Sequence, residues 1–155
     1  MPQVITRTRI VKPAEIYREA ATRIGFTGTR QGMTPAQQER LRELLAASPG
    51  AILHHGDAVG ADAEAHDIAA ALGLAVVIHP SSEDRQRAFK ASPLVRAPRR
   101  YLKRNRAIVR ESAMLIAAPA GAIEEHRSGV WSTVRYARRI GRPVRVILPD
   151  GRIDG

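Results

Sequence analysis

Residues 51–72 carry a pattern that few folds can accommodate. The apolar run Ala51-Ile52-Leu53 leads into His54-His55-Gly56-Asp57, a second glycine follows at Gly60, and a helical repeat begins near Asp62. Apolar strand, glycine-bearing turn and helix start form the local design that aims free backbone N–H groups at an anion. Two other places repeat it: Gly25-Phe26-Thr27-Gly28-Thr29-Arg30 and the loop 119–133. If the three turns meet at one edge of a parallel sheet, they enclose a pocket for a phosphorylated molecule.

The rest of the chain supplies that sheet. A strand over 23–27 is followed by Thr34-Pro35-Ala36-Gln37, which matches a capping box with proline in the first helical position. Leu41, Leu44 and Leu45 then make an apolar stripe that Ser48-Pro49-Gly50 stops. The second strand spans 51–55, and its helix carries Ala65, Ile68, Ala69 and Leu72 on one face, with Gly73 as the stop. The continuous apolar run 74–78 reads as a strand covered on both sides. Residues 83–100 read as a long, basic, partly irregular loop. Residues 101–112 read as a helix, 113–118 as the fourth strand, 129–140 as a helix and 144–148 as the fifth strand. The turn 149–152 is expected to end the fold.

Five strands alternating with helices predict an α/β, Rossmann-like three-layer sandwich with a mostly parallel sheet. In the order 3-2-1-4-5 the ligand edge lies where the first and fourth strands diverge. That topology brings residues 27–30 against 121–133, with 56–62 alongside. Residues 1–22 read as an N-terminal extension, and 23–155 as one domain.

Net charge bears on the partner. The chain of 155 residues has 25 basic and 15 acidic residues, and most of the +10 excess sits in one segment. Between Asp84 and Arg110 there are ten basic side chains and a single acidic one. Such a field attracts phosphorylated small molecules or polyanions. Cysteine is absent, which excludes disulfides and thiolate metal sites. No apolar run approaches the ~18–20 residues of a membrane span. No signal-peptide pattern opens the chain, so the expected location is cytoplasmic with no membrane partner.

The motifs GFTGTR at 25–30, HGDAVGAD at 55–62, Arg104-Asn105 and SGVWST at 128–133 together resemble the SLOG superfamily of Rossmann-like domains, nearest the branch of the YspA and circularly permuted YpsA proteins. The resemblance covers about residues 23–148. It implies a nucleotide-like ligand, because the superfamily includes LOG-type phosphoribohydrolases, DprA-type single-stranded DNA binders and sensors of nucleotide-derived signals. LOG enzymes share a PGGxGTxxE signature whose glutamate serves catalysis. Gly129 and Thr133 keep its phosphate-loop character, but Tyr136 stands at the glutamate position.

The candidate ligand-binding residues are Thr27, Gly28, Thr29, Arg30, Gly56, Asp57, Asp62, Asn105, Ser128, Gly129, Ser132 and Thr133. The glycines admit backbone to a phosphate or relieve tight turns, and the hydroxyls bind phosphate or cap helices. Asp57 and Asp62 are the carboxylates expected to face the pocket, with Asp57 favoured for ligand and Asp62 for a helix cap. Arg30 suits a bidentate phosphate contact, while Arg104 and Arg106 read as basic surface. Asp57, Glu124 and Glu125 are the candidate catalytic carboxylates should an N-glycosidic bond be hydrolysed.

His54, His55, His66 and His79 do not read as a metal set, and no cofactor is implied. The expected activity is binding of a nucleoside phosphate or ADP-ribose-like signal by a sensor or sequestering module. The alternative is single-stranded nucleic acid binding through residues 85–110, against which aromatics make up only 4% of the chain. Homo-oligomerisation is left open.

Overall fold

The computed structural model describes residues 21–155, so the expected N-terminal extension lies outside the described residues except for Ala21 and Thr22. The elements in chain order are β1 (Arg23–Gly28), α1 (Pro35–Ala46), β2 (Ile52–His55), α2 (Ala61–Ala71) and β3 (Ala75–Ile78). A 3-10 turn (Asp84–Gln86), β4 (Leu94–Val95), α3 (Tyr101–Arg110) and β5 (Met114–Ala118) follow, then α4 (Gly129–Arg139), β6 (Val144–Ile147) and β7 (Ile153–Asp154).

The described strands form one sheet in the order β4-β3-β2-β1-β5-β6-β7. All pairings are parallel except β6 with β7. The five expected strands therefore lie in the expected order, and two short edge strands extend the sheet at either side. Both correct the sequence reading. The 83–100 segment is not simply irregular, because Ser92 Oγ donates to Val76 O and its chain then pairs with β3 through Leu94 and Val95. The turn at 149–152 does not end the fold but folds β7 back onto β6, with Gly151 N donating to Leu148 O.

Side-chain alternation on β5 explains the layers. Ile116 and Ala118 join the core that holds Leu41 and Leu45 of α1 and Ala65 and Ile68 of α2. Leu115 and Ala117 face the other way, into the core with Val109 of α3 and Trp131, Val134 and Ala137 of α4. A central strand covered on both faces has to be apolar at every position, as MLIAA is.

The capping box at Thr34 forms as expected. Thr34 Oγ1 accepts from Gln37 N at 3.0 Å, and Gln37 Oε1 accepts from Thr34 N at 3.0 Å. Gln37 has a second use, since its Nε2 donates to Pro119 O and Ile147 O, both at 2.9 Å. This ties the start of α1 to the ends of β5 and β6, so the first helix N-terminus abuts protein rather than open cleft.

Candidate functional site

At the carboxyl edge, β1 and β5 run side by side while their following helices lie on opposite faces of the sheet. Thr29 N donates to Ala118 O at 3.0 Å across this divide, and a cleft of about 360 Å³ opens above it. Thr27, Gly28, Thr29, Arg30, Asp62, Asn105, Glu125, Ser128 and Gly129 line it, as does Trp131. A second, larger cleft of about 680 Å³ adjoins it, lined by Gly56, Ser81, Arg87, Arg100, Lys103 and Arg106 among others. Arg30, Ala58, Tyr101 and Arg104 belong to both and form the wall between them.

The three turns contribute unequally. On the third, Ser128 caps α4 by accepting from Trp131 N at 3.3 Å, and Ser128, Gly129 and Val130 face the cleft. A Cβ on Gly129 would meet nothing within 4 Å, so this glycine leaves open space at a helix N-terminus with positive partial charge. Gly28 is different: a Cβ there would fall 2.5 Å from Ala61 Cβ, so the glycine lets β1 pack against α2.

The second turn corrects the expectation most. Its N–H groups are spent within the protein rather than aimed at an anion. Gly56 N and Ala58 N donate to Asp62 Oδ2 at 3.2 and 3.1 Å, Asp57 N to His55 Nδ1 at 2.8 Å, and Ala61 N to Thr29 O at 2.9 Å. The carboxylate of Asp62 thus occupies the nest from inside.

The two aspartates exchange roles accordingly. Asp57 sits at φ 57 and is fully buried, outside the cleft. Its Oδ2 accepts from Arg87 Nε and Nη2 at 3.1 and 3.0 Å, and its Oδ1 from Lys90 N at 3.0 Å, which anchors the 83–92 segment over the sheet. Asp62 is not the N-cap of α2, a position held by Gly60. Its Oδ2 closes the turn, while its buried Oδ1 has no hydrogen-bond partner. Burial raises its carboxyl to about 6, against the opposing pull of Arg104 and of the Ala58 and Gly56 amides.

Arg104 is not surface, as the basic run suggested. Its Nη1 donates to Gly56 O at 2.5 Å and His79 O at 3.2 Å, and its Nε to Asn105 Oδ1 at 2.7 Å. The guanidinium fills the space where any side chain at position 56 would go. The side chain of Arg30, which shares the wall with Arg104, forms no hydrogen bond or ion pair within the described residues.

Three other candidates lie elsewhere. Ser132 and Thr133 line a separate 140 Å³ hollow between α3 and α4, together with Tyr136, and Thr133 Oγ1 is spent on Gly129 O at 2.8 Å. Tyr136 accepts from Arg110 Nε at 2.8 Å, with the guanidinium groups of Arg106 and Arg139 within 5.3 Å of its ring centre. Glu124 pairs with Arg135 at 2.8 Å on the surface.

The histidines form two buried pairs on opposite faces of β2. His55 Nε2 and His66 Nδ1 are 2.9 Å apart. Since His55 Nδ1 accepts from Asp57 N, its proton resides on Nε2 and points to His66. On the other face His54 Nδ1 meets His79 Nε2 at 2.9 Å. Burial, reinforced by nearby cations, lowers both of these rings to about 3. Glu111 Oε1 approaches the two nitrogens at 3.8 and 3.9 Å. Among the described residues this trio is the one convergent set of metal-ligating atoms. Its atoms are used internally, because the rings bond each other and Arg96 Nη2 holds the same Glu111 oxygen at 2.6 Å.

No known family's sequence profile matches the chain, and no curated protein matches it. Solved structures do. A molybdenum cofactor binding protein from the phototrophic bacterium Rippkaea orientalis superposes with a TM-score of 0.65 at 23% identity, over 81% of this chain and 76% of that one. DNA processing protein A (DprA) from Streptococcus pneumoniae gives 0.64 at 18% identity, over 85% of this chain and 51% of that protein. DprA from Helicobacter pylori, described with a single-stranded DNA binding mode, gives 0.60 at 20% identity over 88% and 69%. The chain thus shares a Rossmann-like fold with these proteins and spans about half of the pneumococcal one. Among the described residues no helix is long and apolar enough to cross a membrane.

Proposed function

We propose that this domain binds a nucleotide or nucleotide derivative in the β1–β5 cleft, as a sensor or sequestering module. One observation carries the reading: a helix N-terminus lines one wall of the cleft, and Asp62, whose buried Oδ1 has no hydrogen-bond partner among the described residues, lines another. The first favours an anion and the second needs a donor. A ribose phosphate supplies both, its phosphate at Ser128, Gly129 and Val130 and a hydroxyl to Asp62 Oδ1. Arg30 adds charge from the β1 side. The molybdenum cofactor and single-stranded DNA bound by the structural neighbours are phosphate-bearing ligands too, which supports the class.

Hydrolysis is a lesser part of this reading. Tyr136 lies in the α3–α4 hollow and gives the cleft no carboxylate, so N-glycosidic cleavage would fall to Asp62 or Glu125, which line it.

A second reading has its own observation. Phe89 and Tyr101 are 60% and 49% exposed beside the basic segment, and Arg87 lies over the Phe89 ring at 4.3 Å. Exposed rings among cations are the elements of a single-strand binding surface.

Gly129→Asp separates ligand from fold. The new side chain has open space and sits in a helix first turn, where an acid is tolerated or helpful. Its melting temperature should match wild type, while the thermal shift from mononucleotides, ADP-ribose or NAD should vanish. A variant that is stabilised by nucleotide as well as wild type would sink the cleft reading.

A further inference from the structure

The cleft at β1–β5 accounts for only the smaller of two joined cavities. The larger lobe begins across the wall of Arg30, Ala58, Tyr101 and Arg104, and its charged lining is six cations against one carboxylate, Glu83. Arg100 and Lys103 belong to it and not to the smaller lobe. As with Arg30, neither side chain forms a hydrogen bond or ion pair within the described residues. By contrast Arg87 and Arg104 are spent on Asp57 and on backbone carbonyls. Helix α3 opens into the same lobe with no side-chain cap and no acidic residue in its first turn. Among the described residues, three cations without a hydrogen-bond or ion-pair partner and an uncapped helix start thus surround one cavity, whose one acidic lining residue, Glu83, already pairs with Arg85. Each lobe falls in the ~300–1,000 Å³ range of small-molecule pockets, so a mononucleotide in the first leaves the second unused.

We propose that the ligand's ribose carries phosphates on both sides, one at the start of α4 and the other beyond Arg30 and Arg104 in the basic lobe. This rests on the nucleotide reading above and adds the arrangement of its charges. The order of groups along the cleft sets that arrangement: α4 N-terminus, Asp62, the arginine wall, then Arg100 and Lys103. A hydroxyl donor held by Asp62 lies between two anion sites. Nucleoside 3′,5′-bisphosphates and 5′-phosphorylated dinucleotides have this layout. Nucleoside 5′-diphosphates, with both charges at one end, do not.

The test is calorimetric titration of the full chain with adenosine 5′-monophosphate, adenosine 5′-diphosphate and adenosine 3′,5′-bisphosphate, repeated on Arg100→Ala/Lys103→Ala. The bisphosphate should bind about 10- to 100-fold more tightly than the monophosphate, as expected of charge-assisted hydrogen bonds. The diphosphate should gain much less. The double variant should erase the bisphosphate's advantage and leave monophosphate affinity within about threefold, the residue of lost long-range attraction. Equal gains for diphosphate and bisphosphate, or an equal loss for all three nucleotides in the variant, would overturn the two-sided arrangement while leaving nucleotide binding intact. Failure of every nucleotide would overturn the nucleotide reading and this one with it. Affinity that keeps rising with each added residue of a single-stranded oligonucleotide would replace the small ligand with a nucleic acid.

Discussion

Acidification should unfold this protein steeply between about pH 6.5 and pH 3, and the histidine pairs should be the main cause. In the unfolded chain each imidazole takes up a proton near its ordinary value of 6.5, whereas in the folded protein His54 and His79 resist protonation down to about 3. The unfolded state therefore binds more protons throughout this window, and stability falls as pH falls. At ~1.4 kcal/mol per unit, the shift is worth on the order of 5 kcal/mol for each ring at the acid end. Because the rings share one bond, the total belongs to the pair. Burial pushes His55 and His66 in the same direction.

Asp62 opposes them. Its carboxyl is raised from 3.8 to about 6, so the folded state gains the proton first and stability rises as pH falls through that interval. The gain is on the order of 3 kcal/mol, less than the pair loses, and the histidines win. Urea midpoints measured at several pH values should fall from pH 7 downward, and His54→Gln/His79→Gln should flatten the slope. A midpoint constant between about pH 7 and 4.5 would show that the rings are not held neutral by the fold.

Replacing Arg104 should cost about 3–5 kcal/mol, the range for removing one partner from a buried charge cluster. Arg104→Met strands Gly56 O and His79 O without a donor and leaves Asp62 without the cation that opposes its burial. The same substitution should abolish nucleotide binding, because the side chain forms the wall between the lobes. Adding Asp62→Asn should recover much of the stability, since removing both charges avoids an uncompensated one, and an amide oxygen still accepts from Gly56 N and Ala58 N. Chemical denaturation of the four proteins gives the coupling. Strictly additive effects, or an Arg104→Met protein within about 0.5 kcal/mol of wild type, would mean that the charges act independently.

The inward role of the half-buried Arg104 was beyond the reach of local pattern. Its neighbours Arg99, Arg100, Lys103 and Arg106 are exposed, and an arginine in such a run reads as surface. It is drawn inward by the missing side chain at Gly56, 48 positions away. Asp57 and Asp62 present the same difficulty. Both follow the second strand within a few residues, and only the left-handed backbone at Asp57 decides which carboxylate meets Arg87 and which turns back on the loop amides. The opposite facing of His54 and His55 followed from strand alternation, but their partners just past the next strand and on α2 did not.

What local pattern did carry was the strand–turn–helix rhythm and the Thr34 box, whereas the order of the five central strands came from the topology that this rhythm implies. The rhythm and the box rest on apolar periods and caps written in contiguous residues. The strands Leu94–Val95 and Ile153–Asp154 are two residues each, too short to show a period of two, and depend on the sheet edges they meet.

Amide NMR during titration with adenosine 5′-monophosphate bears most directly on nucleotide binding at the β1–β5 edge. The resonances of Gly28, Thr29, Gly129 and Val130 should shift together and saturate, because those amides border the cleft where the phosphate and ribose sit. Those of Ser112, Ala113 and Arg142, at the amino-end edge of the sheet, should stay in place. Saturable shifts confined to that opposite edge, or none with any nucleotide, would contradict binding in the β1–β5 cleft.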